Sequence, residues 1–384
     1  MDVKNSKAKN IFENVKSKYI LKIIFNNLHE TKLLKVIQYN KILHDKLGIT
    51  IDNYIKHSKI EIELEISQYT KIINLDGKNS SYFHIYFNGS QVESKEIYSL
   101  KGNGKFQSVK IVIDYEQNSL NELFKFCQGI KKIKFVKFYR KNIIDMAFLF
   151  YQCSALEEVD FSHFNTEKVK NMNYMFWDCG KLTKLDLSNF NDKNLIDMSN
   201  MFSLCKSLKK LNLTKFNTQK VTNMTCLFNG CTSLEELDLS CFNTSNVTDM
   251  ISMFHSCISL KKINISSFDT SKVISMYGMF DGCKSLRNLD LSNFNTINVE
   301  NMFSMFNGCN SLEKLDLANF NTDKVTTFYC MFNQCISLKD LNFPNLKIKS
   351  SAKKDYMFEG CKKLEEDKNW KKKINKISND CICF

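Results

Sequence analysis

The chain has 384 residues, and 54 lysines and arginines against 41 acidic residues give it a formal charge of +13. One proline and 12 glycines exclude collagen, proline-rich linkers and a turn-dense β-sandwich. No apolar run approaches the ~20 residues that a membrane-spanning helix needs. The first residues have no apolar core behind their lysines, so no secretory signal is expected. Fifteen cysteines without such a signal indicate reduced thiols in a cytosolic compartment.

Residues 1–58 are rich in lysine and show two helical patterns, over Tyr19–Leu28 and Glu30–Leu47. The run from Ser17 to Leu43 contains I-L-x-x-I-F-x-x-L followed by L-L, and in this spacing it resembles an F-box. The Leu-Pro that usually precedes the first F-box helix is absent. The resemblance implies docking on an adaptor of a cullin ubiquitin ligase. A helical hairpin that caps the next domain would have a similar pattern, so both interpretations stay open.

Residues 59–126 have the patterns of β-strands. The segment Ile60–Ile66 alternates strictly between apolar and acidic residues, as a strand with one buried face does. Tyr82–Phe87 and Val109–Ile113 are rich in β-branched or aromatic residues, which also favours strands. We therefore predict a small β cap that leads into the following domain.

Residues 127–360 are nine copies of one unit of 26 residues, without insertions. The unit reads C-x-x-L-x-x-L-D-L-S-x-F-N-T-x-x-V-x-x-M-x-x-M-F-x-x. The cysteine that opens each unit recurs at Cys127, Cys153, Cys179, Cys205, Cys231, Cys257, Cys283, Cys309 and Cys335, and again at Cys361. The leucine, phenylalanine and methionine positions form columns with the same period.

Within a unit, L-x-x-L-x-L predicts a short strand and M-x-x-M-F predicts a short helical turn. Neither piece can bury its apolar side alone, but stacked copies build one continuous core. Residues of one column would then lie ~4.8 Å apart, the spacing of paired strands. We therefore predict an α/β repeat fold, a leucine-rich-repeat solenoid of nine coils, each a parallel strand plus a short helical turn. The helical segment and the β cap precede it, and residues 361–384 form a C-terminal cap and tail.

The repeat also carries a resemblance to a known family. Two units, Cys231–Met250 and Cys283–Thr296, resemble BspA-like leucine-rich-repeat proteins, and the match covers about 234 residues. That resemblance implies protein–protein recognition without catalysis, and usually display on the cell surface. The lack of a signal peptide and the kind of C-terminus depart from the surface pattern.

Two columns of the repeat contain polar or reactive residues, the cysteines and the Asn-Thr pairs. For both, a structural role is favoured over a disulfide, metal or ligand site. Parallel columns keep cysteine Cβ atoms about 4.8 Å apart, whereas a disulfide needs roughly 3.8 Å, so the thiols are predicted to form a buried ladder. A metal site needs ligands that converge, and the repeat columns supply none. The recurring Asn-Thr pair, as at Asn243-Thr244, could line a ligand-binding stripe. Satisfying backbone groups where the coil turns is the favoured interpretation.

The outward positions of the strands form the candidate partner-binding face. One column is Asp160, Asp186, Asn212, Asp238, Asn264, Asp290, Asp316 and Asn342. The column two residues earlier contains Lys184, Lys210, Glu236, Lys262 and Lys314, with Glu158, Asn288 and Asp340. Solenoids usually bind partners on this open face, although a solvated polar face would have the same composition. The face has no aromatic or arginine cluster, so no binding hot spot is evident.

The C-terminus carries a modification motif. The chain ends Cys381-Ile382-Cys383-Phe384, which fits a C-a-a-X prenylation box, although Cys383 is not aliphatic. A polybasic run precedes it, and its lysines are predicted to contact an anionic membrane surface: Lys368, Lys371, Lys372, Lys373 and Lys376. A single lipid anchors weakly, and each lysine near an anionic leaflet can add about 1 kcal/mol. We predict prenylation at Cys381 and association with the inner leaflet of a membrane.

No catalytic residue, metal ligand or cofactor site is predicted, because neither H-E-x-x-H, G-x-x-x-x-G-K-[ST] nor G-x-S-x-G occurs. Nucleic acid is not an expected partner, since the excess of lysine lies mainly at the two ends. The favoured hypothesis is a cytoplasmic, membrane-tethered scaffold that binds an unidentified protein. An F-box-type substrate receptor and a surface adhesin remain alternatives.

Overall fold

A computed structural model describes residues 59–67, 69–98, 107–114, 118–138, 142–190, 192–213 and 215–379. The predicted helices within residues 1–58 and the prenylation site at Cys381 lie outside these residues.

Five strands form the sheet at the N-terminal end: β1 (Ile60–Ile66), β2 (Phe83–Phe87), β3 (Gln107–Ile113), β4 (Ile130–Lys137) and β5 (Glu158–Asp160). Their order is β2-β3-β1-β4-β5, and a short 3-10 helix over Ser80–Tyr82 precedes β2. β1 pairs antiparallel with β3 and β4, whereas β4 pairs parallel with β5. The three strands predicted for this region are present, and the apolar residues of β1 point into the core. β4 therefore joins the antiparallel cap to the parallel stack.

The solenoid continues through six more strands: β6 (Lys184–Asp186), β7 (Lys210–Asn212), β8 (Glu236–Asp238), β9 (Lys262–Asn264), β10 (Lys314–Asp316) and β11 (Asp340–Asn342). β6 pairs with β7, β8 with β9 and β10 with β11, each parallel and in register, as Lys184 with Lys210 and Lys314 with Asp340. A second parallel ladder runs from Ser119 to Lys353 in steps of one repeat. The leucine-rich-repeat solenoid is thus confirmed. About eight turns carry an assigned strand, β4 to β11, and residues 288–290 have none, so the nine coils counted from the sequence are approximate.

In the described coils the M-x-x-M-F stretch forms consecutive turns and not an α-helix. In the coil that opens with Cys153, the N–H groups of Met172, Tyr174 and Phe176 donate to carbonyls of the next coil, at 2.9–3.0 Å. Tyr174 has a left-handed φ of 55°, and residues one repeat away behave alike. In an α-helix these N–H groups would donate to carbonyls four residues earlier in the same segment. In the solenoid they donate to carbonyls of the neighbouring coil instead.

Glycine takes the place of a bulkier left-handed residue in several coils, and at Gly230 the neighbouring coil also limits the space. Gly230 has a φ of 71°, and a Cβ there would lie 2.6 Å from Leu204 Cδ2 of the preceding coil. The left-handed backbone and the contact with Leu204 therefore both favour glycine at this position.

The core consists of stacked columns. Rings at one position stack in nearly parallel pairs from Phe124 to Phe358, with centroids 5.2–6.0 Å apart within the column. This spacing exceeds the ~4.8 Å between strands because aromatic rings prefer an offset over a face-to-face sandwich. The column cysteines and the leucines that follow them are buried with the rings. Every coil therefore contributes to one continuous core.

Two helices close the C-terminal end of the solenoid, α1 (Lys362–Glu366) and α2 (Lys368–Asn379). Leu364 of α1 is buried, and Trp370 and Ile374 of α2 pack against the core. The Trp370 ring lies 5.8 Å from that of Phe358, the last ring of the core column. A side-chain oxygen of Asp367 accepts hydrogen bonds from the N–H groups of Asn369 and Trp370 at the start of α2. The helices thus cover the apolar end that another coil would otherwise bury.

No helix among the described residues is both long enough and apolar enough to cross a membrane.

Candidate functional site

The thirteen residues predicted for partner binding lie on one side of the stack. We call the outward side of β5 to β11, including residues 288–290, the strand face. The side chains point away from the buried residues at the centre of each strand, such as Leu185 and Leu237. All thirteen are exposed except Asp160, which is half-buried. The structure therefore brings every one of these predicted residues onto a common surface.

At six positions the Asp/Asn column of this face closes the turn that follows. A side-chain oxygen of Asp186 accepts a hydrogen bond from the N–H of Ser188 at 2.9 Å. The same bond forms at Asp160, Asn264 and Asp290, and at Asp238 and Asp316. Hydrogen bonding to the Ser188 backbone lowers the pKa of Asp186 below its usual range. These carboxylates therefore have a structural role, which the sequence analysis missed although the recurring D-L-S pattern is typical of such turns.

The other column of the strand face divides into paired and unpaired charges. Lys262 lies 3.4 Å from Glu236, and Lys314 lies 3.5 Å from Asp340. Lys184 and Lys210 are neighbours on β6 and β7, yet neither has an acidic partner within 4.0 Å in the described part of the chain. Like charges opposite each other on paired strands are destabilising. This lysine pair is therefore available for a group that the described chain does not provide.

An open depression of about 550 Å³ lies over the same strands, β5 to β7. Its lining includes Lys184, Lys210, Glu158 and Asp186, and the apolar residues Leu185 and Leu211. It combines an apolar floor with charges of both signs at its rim. Such a lining suits a polypeptide segment.

The Asn-Thr pairs connect neighbouring coils. The Thr244 hydroxyl donates to the carbonyl of Asp269 at 2.9 Å and accepts from the Asp269 N–H at 2.8 Å. Thr218, Thr270 and Thr296 make the same two bonds one coil apart. The asparagine side chain accepts from the N–H two residues later, as Asn243 does from Ser245. The predicted structural role of the pair is confirmed at these coils.

Between Thr166 and Thr322 the Thr column has one departure, at Asp192. This carboxyl is 1% exposed, and one of its oxygens accepts a hydrogen bond from the Thr166 hydroxyl at 3.2 Å. The other oxygen is buried without a hydrogen-bond partner. Burial raises the pKa of Asp192 to about 7. A charge at this place is therefore costly for the fold.

The column cysteines form the buried ladder that the repeat predicts. From Cys153 to Cys361, each thiol donates to the carbonyl of the phenylalanine 29 residues earlier, at 3.0–3.2 Å. All ten column cysteines, including Cys127, are fully buried. Burial raises the pKa of Cys205, Cys257 and Cys361 to about 12. The reactive thiolate form is therefore suppressed.

Thiol labelling tests this burial. With a thiol-specific disulfide reagent in native buffer, we expect Cys241, Cys226 and Cys330 to react among the described cysteines, because only these three are not fully buried. The ten column cysteines should react only after denaturant is added. Peptide mapping of the adducts identifies each site. Native labelling of Cys231 as fast as that of Cys241 would contradict the buried ladder.

The predicted membrane-contact lysines are described in part. Lys368, Lys371 and Lys372 of α2 are exposed, on a helix whose Trp370 and Ile374 pack against the solenoid. The side chains of Lys373 and Lys376 lie outside the described residues, as does Cys381. The described apolar residues of α2 thus pack in the cap, and Lys368, Lys371 and Lys372 face solvent.

Comparisons with known proteins identify the family. The profile described as "Mycoplasma protein of unknown function, DUF285" matches residues 118–211, 205–311 and 259–372, and these segments together cover about two thirds of the chain. The chain belongs to this family. The residues that the DUF285 profile matches coincide with the repeat, so the family is defined by the solenoid. No curated protein matches the chain.

Among solved structures, a chain from the crystal structure of a TLR13–ssRNA13 complex is similar, with 22% sequence identity and a TM-score of 0.31. The alignment covers 64% of the DUF285 chain and 34% of the TLR13 chain. The DUF285 chain thus spans about a third of the length of that protein.

Proposed function

We propose that the protein is a non-enzymatic scaffold that binds a partner protein on its strand face. The observation that carries this proposal is the unpaired lysine pair, Lys184 and Lys210, at the rim of the depression over β5 to β7. A rigid stack fixes the spacing of these side chains, so a partner loses little affinity to ordering the surface. The apolar floor supplies area that a bound segment can bury.

Charge reversal at the lysine pair tests the proposal. Lys184→Glu with Lys210→Glu changes only exposed side chains, so the fold should be retained. We expect chemical crosslinking in native cell extract, followed by mass spectrometry, to give a defined partner for the wild type and at least tenfold less of it for the double variant.

The matched control is Lys206→Glu with Lys284→Glu, which makes the same charge change at exposed positions outside the strands. The control should retain the partner. Equal losses in both double variants would show that net charge, and not the strand face, determines capture, and the proposal would fail.

The second part of the proposal is a tether: prenylation at Cys381 and the lysines of α2 hold the scaffold on the cytoplasmic side of a membrane. It is supported by the C-a-a-X sequence and by the exposure of Lys368, Lys371 and Lys372. Because the described apolar residues of α2 already pack on the solenoid, membrane affinity must come from the lipid and the lysines.

Fractionation of native cells tests the tether. We expect wild-type protein in the membrane fraction and Cys381→Ser in the soluble fraction, since lysines alone bind weakly at physiological salt. The C-terminal peptide of the wild type should carry a prenyl group and lack the last three residues. Cys383→Ser is the control and should stay at the membrane. Equal partition of wild type and Cys381→Ser would remove the tether from the proposal without affecting the strand face.

A further inference from the structure

A row of aromatic side chains crosses four consecutive coils on the side of the M-x-x-M-F turns. Tyr277, Phe303, Tyr329 and Tyr356 form this row, which we call the aromatic ribbon. The first three rings stack nearly parallel, with centroids 4.9 and 5.0 Å apart, and Tyr356 meets Tyr329 edge to face at 5.5 Å. The ribbon is therefore about 15 Å long, which exceeds the size of one side chain.

The ribbon is open to solvent, although aromatic rings of this size usually pack inside. Tyr277 is 39% exposed and Tyr356 is 55% exposed, while Phe303 and Tyr329 are half-buried. Tyrosine is among the residues that dominate binding energy at protein interfaces. The strand face has no such residues, so the ribbon is the stronger hot-spot candidate.

Carboxylates lie near the ribbon at Tyr329: Asp355 and Glu359 act on Tyr329 itself, and Asp281 acts on the next residue, Cys330. Asp281 accepts a hydrogen bond from the Asn307 amide at 2.9 Å, and Glu359 accepts one from the Asn333 amide at 2.9 Å. Burial, and then nearby acidic groups that include Asp355 and Glu359, raise the pKa of Tyr329. Within the described chain, no lysine or arginine lies within 4.0 Å of these three carboxylates; His255 lies 3.5 Å from Asp281. These three carboxylates therefore form a rim beside the ribbon that no described lysine or arginine pairs with.

A second aromatic cluster in the first coils shows what such a surface accepts. There the ammonium of Lys125 lies 5.4, 5.2 and 5.7 Å from the ring centroids of Phe126, Phe148 and Tyr151. Glu122 pairs with the same ammonium. The chain thus places its own cation beside its first cluster, held by rings and a carboxylate together. Among the described residues, no lysine or arginine does this at the ribbon.

We propose that the aromatic ribbon binds arginine side chains of an extended segment in a partner protein. A guanidinium stacks on aromatic faces and forms paired hydrogen bonds with carboxylates, so it matches both the rings and the rim. The length of the ribbon allows more than one arginine to bind. This surface is distinct from the strand face, and the inference does not depend on the proposed function.

A pair of synthetic peptides tests the inference on the full chain. One is a capped peptide of alternating arginine and glycine, and the other replaces each arginine by citrulline, its neutral isostere. In fluorescence polarisation at physiological salt, we expect the arginine peptide to bind at least tenfold more tightly. Equal binding of the two peptides, or no binding of either, would overturn the proposal.

Three variants locate the site. Tyr277→Leu with Tyr356→Leu keeps apolar bulk at exposed positions but removes two rings, and Asp355→Asn with Glu359→Gln removes two charges of the rim. Each should weaken binding of the arginine peptide at least fivefold. Ile258→Ala with Ile336→Ala, at positions 39% and 37% exposed outside the ribbon, should leave it unchanged. A loss confined to the carboxylate variant would indicate non-specific charge attraction and would also overturn the proposal.

Discussion

Replacing Asp192 by threonine is expected to stabilise the protein by about 4 kcal/mol at pH 8 and by little near pH 4. Asp192 stands in the column where Thr218, Thr244 and Thr270 each bridge two coils. Its buried carboxyl has a pKa of about 7 in the folded protein, and one of its oxygens has no partner. Threonine removes the buried charge and restores the hydroxyl that links neighbouring coils.

The sign of the pH dependence follows from the raised pKa. An unfolded chain releases the Asp192 proton near the ordinary value of 3.8, whereas the folded protein holds it up to about pH 7. The folded state thus binds more protons between these values, and its stability falls as pH rises through this window. Above pH 7 the penalty is constant, at about 1.4 kcal/mol for each unit of pKa difference.

Urea unfolding followed by circular dichroism between pH 4 and pH 8 measures this effect. The difference between wild type and Asp192→Thr at each pH isolates Asp192 from the other carboxyls. Asp192→Asn should also remove the dependence, because it is neutral and similar in shape. Asp186→Asn, at an exposed carboxyl, should not remove it. Parallel curves for wild type and Asp192→Thr would show that the carboxylate is not buried as described.

Truncating one ring of the core column is expected to destabilise the solenoid by about 3–5 kcal/mol. Phe228 is fully buried, and its ring stacks between those of Phe202 and Phe254 with centroids 5.6 and 5.7 Å apart. Phe228→Ala therefore leaves a cavity that touches two interfaces between coils. In a solenoid each coil relies on its neighbours, so both interfaces weaken together.

Thermal and urea unfolding of Phe228→Ala measure this loss. The matched control is Phe303→Ala, which removes a half-buried ring at the surface and should cost less than half as much. Phe228→Leu should fall between wild type and Phe228→Ala, because it fills part of the cavity. Similar losses for Phe228→Ala and Phe303→Ala would mean that the stacked column does not dominate stability.

The sequence by itself determined the solenoid, because a period of 26 residues without insertion allows one register of stacking. It placed the cysteine ladder, the ring column and the strand face, since each is a column with that period. It also indicated the cap strands through the alternation in Ile60–Ile66. These features depend on which residues repeat, and repetition can be read directly from the chain.

Only the tertiary structure decided which side chains are already engaged in hydrogen bonds, ion pairs or ring contacts and which can bind a partner. The carboxylate of Asp186 is used by a turn, whereas Lys184 beside it has no acidic partner in the described chain. The M-x-x-M-F stretch does not form a helix, because its donors bond to the next coil. Tyr356 joins the aromatic ribbon although it lies 27 residues after Tyr329, one more than the period. Hydrogen-bond partners, burial and ring contacts arise between coils, and a sequence pattern within one coil does not contain them.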